Sequence, residues 1–209
     1  VKDAKNNCPG AKCVCSDDAM EITFDRDGPT DSVFVYDAFV QDAAVDTSVV
    51  MDVKSGDPAT PGSGVQGWSY GVDHDDAFLT LLSVTIDGSD PSVEAAKSGG
   101  FVVADMKNLQ TCRGETPPAC KNPVAGTGYI SAIILSFTQA ASLELRRVPI
   151  IKAKYTMAKD AVSPGTLIEF TDRLKKTGSP PADINITVNG VSKSPSTLVD
   201  GLVIKKGAD

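Results

Sequence analysis

Two stretches hold residue types whose spacing could do chemistry. Gly67-Trp68-Ser69-Tyr70-Gly71 has the G-x-S-x-G spacing of a hydrolase nucleophile elbow. That motif needs a strand–turn–helix corner and a histidine that reaches the serine hydroxyl. His74 is the one histidine in the chain. It follows Ser69 by an odd number of residues on one expected strand, which sends the two side chains to opposite faces. No βαβ alternation surrounds the motif. The pair is read as non-catalytic, and the chain is expected not to be an enzyme. A single histidine also rules out a multi-histidine metal centre.

The acidic groups come next. His74 is flanked by Asp73, Asp75 and Asp76, and DRDGPTD (25–31) places Asp25, Asp27 and Asp31 around Gly28. Such clusters supply the hard oxygen ligands that Ca²⁺ prefers. No 12-residue EF-hand pattern with a terminal Glu occurs, so solvated acidic turns are the reading, with no metal and no cofactor expected. Carboxylate pairs for glycoside hydrolysis are numerous, but none stands in a motif, and their separation is a three-dimensional quantity.

Five cysteines bear on redox compartment. Cys112 and Cys120 flank the polar TCRGETPPAC and read as a local disulfide, worth roughly 2–3 kcal/mol on the chain-entropy model. Cys8, Cys13 and Cys15 cluster near the N-terminus as further disulfide candidates. Zinc is the alternative, but C-x4-C-x-C lacks nearby histidines and C-x2-C knuckles. Two bridges leave one thiol over, either free or paired between molecules. The opening VKDAKNNCPG is polar, the expectation for a mature, processed chain of an oxidising, extracellular or cell-surface setting. Asn185-Ile186-Thr187 is an N-glycosylation sequon with Asn185 facing outward on its strand. DPATPGSG (57–64) suits O-glycans of the same environment.

Composition sets the frame that must position these groups. In 209 residues, 20 Lys+Arg face 27 Asp+Glu, a net charge of −7. That balance excludes a cationic nucleic-acid binder. No run of about 20 apolar residues is present, so no membrane span is expected. Valine occurs 22 times against 11 leucines, with 11 Ile and 16 Thr. β-Branched residues suit a pleated, half-buried surface, and 18 Gly with 13 Pro supply turns. An all-β domain follows.

Strands are expected over 19–24, 32–40, 48–56, 65–75, 78–88, 101–106, 129–137, 143–158, 166–172, 184–188 and 202–206. In VQGWSYGVDHD, Trp68, Tyr70 and Val72 share one face. Gly67, Ser69 and Gly71 share the other, which suggests close approach of a backbone or ligand. FLTLLSVTIDG and YISAIILSF read as buried strands, the second covered on both faces. Pro149 argues for a bulge or an edge. Asn189-Gly190 is a hairpin turn. Asp90 and Pro91 open the one helix, over 90–100. The expectation is a two-sheet jelly-roll or Ig-like sandwich of about nine or ten strands with one short helix. It spans 32–209 behind a Cys-rich N-terminal extension over 1–31.

VQGWSYGVDHDDAFLTLLSVTIDG, followed by GYISAIILSF and VPIIKAKYTMA, resembles the cohesin-like and carbohydrate-binding-module-like β-sandwiches of secreted bacterial proteins. The resemblance covers roughly residues 32–206. It implies a jelly-roll of about nine strands, an extracellular setting and a non-catalytic binding role. Residues 1–31 and the Cys112–Cys120 insertion depart from the pattern, and dockerin binding accounts for neither.

Two functional expectations follow. In the first, the chain is a secreted structural subunit of a surface assembly or filament. AMEITF (Met20, Glu21, Ile22, Thr23 and Phe24 after Ala19) would supply a strand that augments the next copy in a homopolymer. The same segment reads equally as the first strand of its own domain. In the second, the chain is a monomeric cohesin-like or carbohydrate-binding module for a protein or glycan ligand.

Overall fold

The structure, a computed structural model, describes residues 11–16, 19–24, 33–41, 44–53, 64–112, 120–138, 140–143, 147–157, 165–194, 198–199 and 201–204. Cys8, Asp25, Asp27, Gly28, Asp31 and most of DPATPGSG lie outside the described residues. The first half contains β1 (Ala11–Ser16), β2 (Ala19–Phe24), β3 (Val33–Gln41), β4 (Ala44–Asp52), β5 (Val65–His74) and β6 (Leu79–Thr85). Then come α1 (Pro91–Glu94), α2 (Ala96–Gly99), β7 (Phe101–Asp105), β8 (Leu109–Thr111), β9 (Val124–Ala125) and β10 (Tyr129–Ile134). The last part holds β11 (Arg147–Met157), β12 (Gly165–Thr171), β13 (Leu174–Lys176), β14 (Asn185–Val188), β15 (Val191–Lys193), β16 (Leu198–Val199) and β17 (Gly201–Ile204).

These strands make two main sheets. One runs β16-β3-β4-β11-β6. The other runs β15-β14-β5-β10-β7, with β12 and β17 continuing beside the second half of β5. Between them lies a core whose residues alternate along each strand, as a two-layer sandwich requires. Val49, Met51, Ile151, Ala153 and Tyr155 come from one sheet. Trp68, Tyr70, Val72, Tyr129, Ile133, Ile168 and Ile186 come from the other. The Tyr70 ring meets Tyr129 and Phe170 edge-on, at 6.4 and 5.3 Å between centroids. Burying each such side chain is worth about 1.5–3 kcal/mol.

The all-β sandwich with two main sheets is as expected, but its strands are more numerous. β8, β9, β13, β15 and β16 are only two or three residues long, too short for a period of two to show. The expected helix over 90–100 is divided at Ala95 into two four-residue pieces. Its start is as read: Asp90 accepts a hydrogen bond from Ser92 N at 2.9 Å, and Pro91 follows. Pro149 lies at a register shift of the β11–β4 ladder, which is the bulge reading, although β11 is an interior strand. Asn189 and Gly190 take φ of 51° and 71° and join β14 to β15 as a type I′ turn would.

Two burial expectations need correction. β6 is an edge strand rather than a buried one, with Leu82 49% exposed. Its Leu-rich run has one neighbouring strand and one covered face. β10 is not covered on both faces along its length, because Ile134 is exposed, and the expected run past it ends in an exposed Phe137.

The segment Met20–Phe24 pairs with β1, so that Met20 faces Cys15 and Ile22 faces Cys13. Among the described residues this hairpin is a two-stranded sheet of its own, and β2 lies alongside β3. AMEITF thus pairs with β1 of its own chain and runs beside β3.

Candidate interaction face and acidic cleft

The side of the seven-stranded sheet that faces away from the core carries the chemistry. β5 is its central strand and directs Gly67, Ser69, Gly71 and Asp73 outward. Across the ladder, Ile134 lies opposite both Gly67 and Phe101, and Ala132 opposite both Ser69 and Val103. Phe101 is 45% exposed, Ile134 41% and Phe137 69%. Phe137 N donates to Gly99 O at 3.4 Å, which seats this residue beside the start of β7. An apolar patch on a low glycine floor results. Contiguous exposed apolar surface of this kind marks interaction sites.

The glycines on that floor answer to backbone packing. A Cβ on Gly67 would sit 2.7 Å from the Ile133 carbonyl oxygen, and one on Gly71 2.6 Å from that of Thr171. Close backbone approach, rather than a ligand, explains them.

A flap covers the other end of the face. β13, β8 and β9 form a three-stranded sheet, and Leu174 of β13 lies 3.3 Å from the point where a Gly71 Cβ would stand. Leu174, Leu109 and Cys112 are buried under it. Cys112 and Cys120 form a disulfide with Cα atoms 5.2 Å apart, closing the loop between β8 and β9. Lys176 Nζ pairs with Asp105 Oδ2 of β7 at 2.5 Å, and this hydrogen bond holds the Asp105 carboxyl below the usual carboxylate range. The two cysteines that bound the insertion are thus anchored at the flap.

Ser69 and His74 do not meet. Ser69 Oγ donates to the Asp183 carbonyl at 2.5 Å on the outer side. His74 turns to the core, where its ring meets Tyr155 edge-on at 5.1 Å. Burial lowers its pKa from 6.5, against the raising pull of Asp73, Asp76 and Asp75 and of a hydrogen bond to the Leu79 main chain. Nδ1 is buried and has no hydrogen-bond partner. Asp73 and Asp75 serve their own turn: Asp73 Oδ1 accepts from His74 N and Asp75 Oδ1 from Ala77 N. Among the described residues no group of three or more His, Cys, Asp or Glu side chains is placed to hold a metal.

These acids nevertheless line a cleft of about 500 Å³, between the flap, the end of β5 and β12. Asn185 of the sequon lies on the outer face opposite Ser69, at intermediate burial. Phe101, Ile134, Phe137, Leu174 and Glu169 were not singled out by sequence. Of these, only Ile134 and Phe137 had a signal, in the apolar run YISAIILSF, and it reads as burial.

No family model matches the sequence, and no curated protein matches it. The fold does have solved neighbours. The sixth cohesin of scaffoldin B from Acetivibrio cellulolyticus, crystallised in complex with a dockerin, is similar at a TM-score of 0.53 and 10% identity, over 85% of this chain and 100% of that one. The OlpA cohesin of a type I cohesin–dockerin complex from Clostridium thermocellum is similar at 0.51 and 12% identity, over 83% and 98%. At such identity the likeness speaks to architecture, and the architecture is that of a cohesin-like β-sandwich.

Proposed function

We propose that the chain is a non-catalytic, extracellular binding module that seats a protein partner of the dockerin type on the outer face of its seven-stranded sheet. The observation that carries this is the exposed Phe101–Ile134–Phe137 patch on a cohesin-like fold. Both solved neighbours were crystallised with dockerins, which favours a protein ligand. A glycan platform needs exposed Trp or Tyr rings. Of the Trp and Tyr residues, Trp68, Tyr70, Tyr129 and Tyr155 have described side chains, and these are buried.

The division into an extension over 1–31 and a sandwich over 32–209 belongs to the same reading. Its support is the β1–β2 hairpin, which among the described residues forms a sheet of two strands. The filament reading draws support from no described contact.

Binding of the full chain to a panel of dockerins, read by calorimetry, tests the proposal. Ile134→Asp places a charge at the centre of the patch and is expected to weaken binding at least 30-fold, as for a hot-spot residue. Its unfolding midpoint should stay near that of the parent chain, because Ile134 is exposed. Unchanged affinity would remove the face from the proposal, and no binding across the panel would remove the partner class.

A further inference from the structure

The chain has a single N-x-S/T sequon, at Asn185-Ile186-Thr187, and the sheet presents its two polar groups together. Ile186 faces Trp68 in the core and is 3% exposed. Asn185 and Thr187, on either side of it, therefore stand on the outer side of the sheet, roughly 7 Å apart along the strand. The ladder leaves room at both. Thr187 has Gly67 as its partner on β5, so no side chain crowds the hydroxyl from there. Thr187 Oγ1 lies 3.2 Å from the hydroxyl of Ser192, an exposed residue. β15 ends at Lys193, opposite Ile186, so Asn185 has no partner in that strand. Its partner on β5 is Ser69, whose hydroxyl is committed to the Asp183 carbonyl at 2.5 Å. Among the described residues no hydrogen bond engages the Asn185 carboxamide, and its polar atoms are not among the buried ones without a partner. The amide nitrogen is thus open to solvent.

The approach from the N-terminal side is also open. Asn185 is the first residue of β14, and residues 182–184 belong to no helix or strand. Asp183, two residues before Asn185, is exposed. A carboxylate so placed offers a transferase a charge-assisted contact besides the amide and the hydroxyl.

We propose that Asn185 is a modification site, the acceptor of an N-linked oligosaccharide, with Asp183 and Thr187 as its recognition groups. The donor class is an oligosaccharide on a polyprenyl diphosphate. Asn185 Nδ2 bonds to the anomeric carbon, and the bond from that carbon to the diphosphate oxygen breaks. The electron pair leaves on the polyprenyl diphosphate, and Nδ2 gives one proton to a base of the transferase. Attachment does not depend on whether the outer face seats a dockerin.

The test incubates the purified full chain with such a donor and a bacterial single-subunit oligosaccharyltransferase that requires an acidic residue two positions before the acceptor. The tryptic peptide 177–193 is then weighed by mass spectrometry. The peptide acetyl-PADINITVN-amide, residues 181–189, is the unstructured reference. The glycopeptide is expected to predominate in the folded chain, as in the reference. Asn185→Gln, Thr187→Ala and Asp183→Ala should each abolish it, and Thr187→Ser should keep it. The urea midpoint of the modified chain should match that of the parent, because the acceptor stands on the outer face. An unmodified full chain would overturn the proposal, and so would a chain modified only after urea has unfolded it. Modification that survives Asn185→Gln or Asp183→Ala would overturn it as well.

Discussion

Gly128 holds φ at +108°, and a Cβ there would overlap the Val72 carbonyl. Only glycine tolerates both conditions. Gly128→Ala is expected to cost about 3 kcal/mol, seen as a lower urea midpoint. His74 makes a second prediction at this scale. Desolvation lowers its pKa from the ordinary 6.5, so below that value the unfolded chain binds more protons than the folded one. The contribution of His74 to stability is full above pH 6.5. It is lost as pH falls from there through the folded pKa. Urea midpoints measured between pH 7.5 and 5 should fall for the parent chain and fall less for His74→Phe. An equal slope in the variant would show that other groups carry it. The opposed placement of Ser69 and His74 was legible because strand alternation is local. The rest of the histidine's surroundings was not, since Tyr155 comes from a distant strand in the facing sheet.

At the scale of elements, the flap is the part most dependent on a cross-link. β8 and β13 are three residues each and β9 two, and the sheet they form is closed by the Cys112–Cys120 bond. Cys112→Ala with Cys120→Ala should lower stability by roughly 2–3 kcal/mol. The effect should be local: hydrogen exchange at Leu109, Thr111 and Leu174 is expected to speed up while β5 and β10 stay protected. Uniform loss of protection would mean that the flap and the sandwich unfold as one unit. Among the elements, β5, β11 and the Asn189-Gly190 hairpin were readable because alternation or turn chemistry is written along one stretch of chain. β6 and β10 were misread for burial. An apolar run records what a strand can cover, not how many neighbours it finds.

The whole molecule separates the two functional expectations. As a binding module it should sediment as a monomer in the absence of a partner. A filament subunit should give high-order species that vanish on deletion of residues 1–30. Sedimentation of the full chain is expected to show the monomer, because Met20–Phe24 pairs with β1 on one side and runs beside β3 of the same chain. High-order species sensitive to that deletion would reinstate strand exchange, and an N-terminal thiol would then be the candidate for locking the joint.

By itself, the sequence determined an acidic, β-branched sandwich with a single histidine that cannot serve Ser69. Those properties follow from composition and from the two-residue period of a strand, which are fixed within short stretches. Tertiary structure decided where the surface is open. It set β13 of the flap over Gly71, left Phe101 and Ile134 bare at the other end, and brought Glu169 opposite Asp73. These outcomes depend on which strands become neighbours across nearly a hundred residues, and no local period encodes that choice.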